Sequence, residues 1–183
     1  MLNRFFAIII SLILSPIFIL VGLLIFYQDG FPIFFTQKRV GIDGTFFNIY
    51  KFRSMRRNTP NVATHLLENP NQYVLKTAGI LRKLSIDELP NLINIIKGEM
   101  VFIGPRPALF NQEDLMKLRI KAGIDKLKPG VTGWAQINGR DEISLEEKVK
   151  FEKEYLDRKS IGFNLKIIVL TFTSVIKSDG VKH

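Results

Sequence analysis

Two adjacent carboxylates, Asp87 and Glu88, lie between two arginines in a stretch punctuated by proline. It runs Arg82-Lys83-Leu84-Ser85-Ile86-Asp87-Glu88-Leu89-Pro90, then an apolar segment, then Gly104-Pro105-Arg106-Pro107. Guanidinium groups fork onto phosphate oxygens, and a carboxylate pair can hold Mg²⁺ or supply a nucleophile. The chemistry to test is therefore phosphate chemistry. A structural alternative stands beside it. Asp87 with Pro90 in the first turn is a good helix start, Ser85 with Glu88 fits a capping box, and Arg106 could make a surface salt bridge. On these residues alone both remain open, because a helix N-terminus is itself an anion site.

Two further segments could contribute. Lys51-Phe52-Arg53-Ser54-Met55-Arg56-Arg57 is a basic run with interleaved aromatic and apolar residues, suited to a lipid headgroup or to a solvated strand end. It carries no recognisable nucleic-acid motif, so no nucleic-acid partner is expected. Pro129 to Arg140 combines glycines, hydrogen-bond donors and Arg140, and could bring backbone amides close to a phosphate. It matches neither P-loop nor dinucleotide-binding spacing.

The elements that must position these groups are legible in outline. Ile33–Lys38 and Thr45–Phe52 are rich in β-branched and aromatic residues, and the Asp43-Gly44 step between them predicts a hairpin. Leu89–Lys97 predicts a buried helix ended by Gly98. Gln112–Ala122 has helical spacing of Leu115, Leu118 and Ile120. Lys128–Arg140 is expected to be a loop. Ser144-Leu145-Glu146-Glu147 opens a charged amphipathic helix to Asp157 with a capping box. Phe163–Lys177 is an apolar helix with two alternatives, lying at a membrane interface or packing in the core. The fold class expected is mainly α with a small β-hairpin (α+β). Thr59–Tyr73 carries no interpretable motif.

A net charge of +9 falls almost wholly downstream of residue 30 and favours anionic partners. The absence of cysteine excludes disulfides and thiolate chemistry, and two distant histidines, His65 and His183, argue against a histidine metal site or a Ser-His triad. Phe5–Phe26 holds no charged residue and as a helix would span roughly 33 Å, enough to cross a bilayer. No cleavage motif follows, which argues against a signal peptide. Ser15-Pro16 sits near its middle and should break it, since proline removes a backbone hydrogen bond and clashes with the preceding turn. Both flanks are basic, so a spanning helix and a helix that re-enters the same leaflet both remain open on physics alone.

Taken together and in order, these segments resemble the catalytic domain of the bacterial sugar transferases known as monotopic phosphoglycosyl transferases, in a small, minimal form. The resemblance rests on Lys51-Phe52-Arg53-Ser54-Met55, Leu81 to Pro90, Gly98-Glu99-Met100, Phe102-Ile103-Gly104-Pro105-Arg106-Pro107, Pro129 to Arg140 and the Ser15-Pro16 break. It implies transfer of a sugar 1-phosphate from a UDP-sugar to polyprenyl (undecaprenyl) phosphate with release of UMP, the first membrane step of glycoconjugate synthesis. It further implies Asp87 as nucleophile through a covalent phospho-sugar intermediate, Glu88 with Asp87 as Mg²⁺ ligands, and Lys51, Arg82, Arg106 and Arg140 on phosphate or nucleotide. Residues 1–30 would form a re-entrant membrane helix and 31–183 a catalytic domain on the cytoplasmic face of the bacterial plasma membrane. The exposed apolar helices are candidates for pairing into a homodimer. The alternative function is a non-enzymatic, membrane-anchored basic module for acidic lipid or nucleic acid.

Overall fold

A computed structural model describes residues 1–59, 70–139 and 143–177. Two apolar helices open the chain, α1 (Leu2–Ile13) and α2 (Ser15–Asp29), meeting at an angle of 63°. The break has the cause expected from sequence. Leu14 leaves helical geometry at ψ 1°, Pro16 stands in the first turn of α2, and Ser15 Oγ donates to Leu12 O at 2.8 Å, supplying a donor where the ladder is interrupted. No single helix among the described residues is long and apolar enough to cross a membrane; only this bent pair is, taken together.

Neither helix stands apart from the rest. Ala7 of α1 is fully buried with Leu92, Ile95, Phe47, Ile49 and Met100. Val21 and Ile25 of α2 are buried with Phe52, Leu75, Ala78 and Leu81. Their remaining faces carry exposed apolar side chains, among them Phe5, Leu12, Leu20 and Leu23.

The hairpin forms as predicted, β1 (Phe34–Val40) against β2 (Phe46–Phe52), with Phe34 opposite Phe52 and Val40 opposite Phe46. Its turn uses left-handed backbone at Asp43 (φ 54°) and Gly44 (φ 72°), the conformation that an Asp-Gly step tolerates. The β structure is larger than a lone hairpin. A short β4 (Ala108–Leu109) pairs with β1, and β3 (Val101–Ile103) pairs in parallel with β5 (Gly130–Thr132). Segments this short give no period in sequence.

The helices between and after the strands are α3 (Ala78–Lys83), α4 (Asn91–Lys97), α5 (Glu113–Lys121), α6 (Trp134–Ile137), α7 (Leu145–Arg158) and α8 (Ile161–Lys177). Gly98 ends α4 at φ 86°, as expected. Ser144 caps α7 with both halves of the capping box formed. The stretch expected as a loop before Gly139 instead holds β5 and α6, because tertiary pairing with β3 fixes a strand that its glycines do not favour. In α5 the inward face differs from expectation. Ile120 is exposed while Arg119, one turn beyond buried Leu115, is buried. In α8 the core alternative holds for one face. Phe163 and Ile167 pack inward with Tyr155 and Trp134, and Ile161, Leu165, Val169 and Phe172 face outward.

Candidate active site

Asp87 and Glu88 lie in a single 3₁₀ turn, Ile86–Glu88, between α3 and α4. In such a turn side chains three apart eclipse, so Ile86 and Leu89 face the apolar cluster beneath and the two carboxylates are left on the other faces. The turn is entered through Ser85 in the left-handed region at φ 54°, uncommon for a residue with a Cβ. Ser85 makes no capping hydrogen bond, and the residue preceding α4 is Pro90. The predicted cap and capping box are therefore absent. The chain reversal at Ser85 turns Glu88 away from the helix start and onto cations.

Glu88 is the hub. Its Oε1 accepts from Lys51 Nζ at 2.6 Å and from Arg106 Nη1 and Nη2, each at 3.3 Å. The Lys51 and Glu88 side chains are 18% and 19% exposed, so the attraction is only partly screened. Burial alone would raise the pKa of Glu88, but Arg106 and Lys51 outweigh it and hold the carboxyl down at about 2. Asp87 behaves oppositely. Burial pushes its pKa above the ordinary aspartate value, helped by the adjacent Glu88 charge and opposed by Lys51 and Arg82. No described side chain lies within ion-pairing distance of Asp87. Two neighbouring carboxylates thus take separate states, one neutralised by direct contacts and one held close to cations without a partner.

Arg82 approaches from α3. Its Nε and Nη2 both donate to Ser54 Oγ, at 3.2 and 2.8 Å, which orients the guanidinium beside the end of β2. Ser54 belongs to the Lys51–Met55 run, but a lone serine among basic residues gave no sign of this role. Asn94 was missed also. Fully buried in α4, it donates from Nδ2 to Asn48 O and Glu99 Oε2 and accepts from Tyr50 N. It thereby ties α4 to the free edge of β2 and fixes the strand that carries Lys51. A polar residue inside an apolar helical run was the available signal.

The loop carrying Arg106 packs on the turn before β5 at backbone distance. Gly104 N donates to Thr132 O and Gly130 N to Pro105 O, both at 2.9 Å. A Cβ on Gly130 would meet Gly104 N at 2.1 Å and Gly104 Cα at 2.7 Å, so only glycine permits the contact. Lys51, Arg82, Asp87, Glu88 and Arg106 are brought together. Arg140 lies outside the described residues. Ser15 and Pro16 lie at the helix break.

The sequence matches the family described as "Bacterial sugar transferase" over residues 1–178. It is 43% identical over 155 residues to the uncharacterized sugar transferase EpsL of Bacillus subtilis, covering 84% of this chain and 75% of that one. Against the exopolysaccharide production protein ExoY of Rhizobium meliloti it is 36% identical, over 92% of this chain and 81% of that one. Against the UDP-glucose:undecaprenyl-phosphate glucose-1-phosphate transferase of Escherichia coli it is 37% identical, over 90% of this chain but 37% of that longer protein. The non-enzymatic alternative is thereby displaced: the chain belongs to the bacterial sugar transferase family and is a phosphoglycosyl transferase.

Proposed function

We propose that the protein transfers a sugar 1-phosphate from a UDP-sugar to undecaprenyl phosphate and releases UMP. The observation carrying this reading is an aspartate without a described ion-pair partner, close to Lys51, Arg82 and Glu88, with Arg106 on that same Glu88. It is supported by the relatives, one named for transfer of glucose 1-phosphate from UDP-glucose and another for N-acetylgalactosamine phosphotransfer to undecaprenyl phosphate.

In the proposed reaction an Asp87 carboxylate oxygen attacks the sugar-bearing phosphorus of the donor. A P–O bond to it forms, the P–O bond to the inner phosphate breaks, and UMP leaves with that electron pair. A phosphate oxygen of the acceptor then attacks the same phosphorus, the aspartyl–phosphorus bond breaks, and Asp87 is regenerated. The nucleophile needs no general base while it is ionised. Its obstacle is the charge of the diphosphate, which Arg82 and Arg106 offset; one charge pair at 4 Å is worth ~4 kcal/mol at an effective dielectric of about 20. Every described contact to Glu88 uses Oε1, and the Asp87 carboxylate, one residue before it, has no described ion-pair partner. Two hard oxygen donors fit Mg²⁺ with the substrate's phosphates completing its shell, since among the described residues no cluster of three potential ligands occurs. Glu88 and Asp87 would hold that ion, whose chemistry is to neutralise charge on the diphosphate. Incubating the protein with undecaprenyl phosphate and a panel of UDP-sugars should release UMP with one or a few donors and none without a sugar nucleotide. Turnover with no member of the panel would overturn the reading.

Residues 1–30 would enter and leave the membrane through one leaflet, placing residues 31–183 on the cytoplasmic face where the acceptor phosphate lies. The 63° break supports this, as do the exposed apolar faces of α1, α2 and α8. The chain has no cysteine, so single-cysteine labelling is unambiguous. Asn3→Cys and Tyr27→Cys should both resist an impermeant maleimide in spheroplasts and both react in inverted vesicles. A spanning helix would give opposite reactivity at the two positions.

A further inference from the structure

The loop Pro105–Pro107 is gripped through its carbonyls. Pro105 O accepts from Gly130 N at 2.9 Å, Arg106 O from Arg119 Nη2 at 2.9 Å and Pro107 O from Arg39 Nη1 at 3.0 Å. The donor to Arg106 is unusual. Arg119 of α5 and Glu152 of α7 form an ion pair whose side chains are only 6% and 2% exposed. Glu152 takes Nε of Arg119 on Oε2 at 2.8 Å and Nη2 on Oε1. Glu152 occupies the inward stripe of α7, one turn beyond Val149, which packs with Leu145 and Met116 in the apolar contact between α5 and α7. A buried pair of charges costs more in desolvation than well-packed apolar residues of the same size, so stability gives no reason for its presence here. Among the described residues its one hydrogen bond outward is to the backbone of Arg106.

We propose that Arg119, oriented by Glu152, is a positioning residue for the transfer reaction: it fixes the backbone of Arg106 so that the guanidinium stands at Glu88 where the donor diphosphate must arrive. The inference rests on the reading of Arg106 as a phosphate contact. Arg119 and Glu152 are both buried, and in this proposal they act through the loop. Losing the bond would let the loop drift, and a misplacement of about 1 Å at a reacting group can cost up to ~100-fold in rate.

The test is a double-mutant cycle on UMP release by the full chain in detergent or vesicles, with thermal unfolding measured in parallel. Arg119→Lys keeps the charge but loses the planar fork that bonds both oxygens of Glu152 while holding Arg106 O, and should lower kcat/KM by about ten-fold or more. Arg106→Lys should lower it by a similar factor. If Arg119 acts through Arg106, adding Arg119→Lys to Arg106→Lys should change kcat/KM by less than about two-fold. Multiplying losses in the double variant, or no loss from Arg119→Lys alone, would overturn the inference. Should Arg119→Lys fail to fold, the near-isosteric Glu152→Gln carries the same cycle with the same expected outcomes. An Arg106→Lys variant with full activity would instead remove the underlying reading of Arg106.

Discussion

Asp87→Asn should leave the protein folded and membrane-bound but without turnover, a loss of at least about a thousand-fold in UMP release. The amide keeps the shape of the side chain and removes the nucleophilic oxygen. It also removes a charge that burial disfavours, so thermal stability should be unchanged or slightly raised. Intact-mass measurement gives the complementary result. Wild-type protein incubated with its donor alone should gain the mass of a phospho-sugar, and the Asn variant should gain nothing. A structural role as helix cap would lose about 1 kcal/mol of stability and no chemistry, which the absence of a capping bond at this turn already argues against. Undiminished UMP release by Asp87→Asn would end the proposed mechanism.

Glu88→Gln should have the second-largest effect, and on two quantities at once. Lys51 and Arg106 converge on one oxygen of this carboxylate, so its neutralisation should free both cations and lower kcat/KM by about a hundred-fold or more. The stability effect has a defined pH dependence. The folded-state pKa is depressed from 4.5 to about 2, so the group contributes stability that is fully present above its unfolded value and is lost as pH falls through the folded one. Such a shift corresponds to about 3 kcal/mol at neutral pH. The wild type should therefore exceed Glu88→Gln in stability above pH 5, and the difference should shrink towards zero as pH approaches 2. Denaturant midpoints measured from pH 7 to pH 2 would show this; a gap independent of pH would mean that the ion pairs are not what the carboxylate supplies.

The parts of this protein that were legible in sequence are those set by local physics. The Asp-Gly hairpin, the Gly98 stop, the Ser144 capping box and the break at Ser15-Pro16 each follow from a backbone preference acting within a few residues. The stretch from Arg82 to Arg106 advertised phosphate chemistry through residue type alone. What failed was also local in origin. Ser85 and Glu88 satisfied a capping pattern, yet the left-handed turn at Ser85 gave Glu88 to Lys51 and Arg106 instead. The cations 37 residues upstream and 18 downstream outcompeted a backbone amide three residues away.

Sequence by itself thus determined which groups are available: two adjacent carboxylates, a set of arginines, a helix that must bend and a cluster of apolar faces. Tertiary structure alone decided their states. The contact of β2, the Ser85 turn and the glycine-packed loop makes Glu88 a paired anchor and leaves Asp87 unpaired, though one residue apart in the chain. It also placed Arg119 and Glu152, charged residues whose type alone assigns them to solvent, inside the molecule behind Arg106. Charge pairing depends on distance in space, and distances between remote segments are set only when the whole chain has packed.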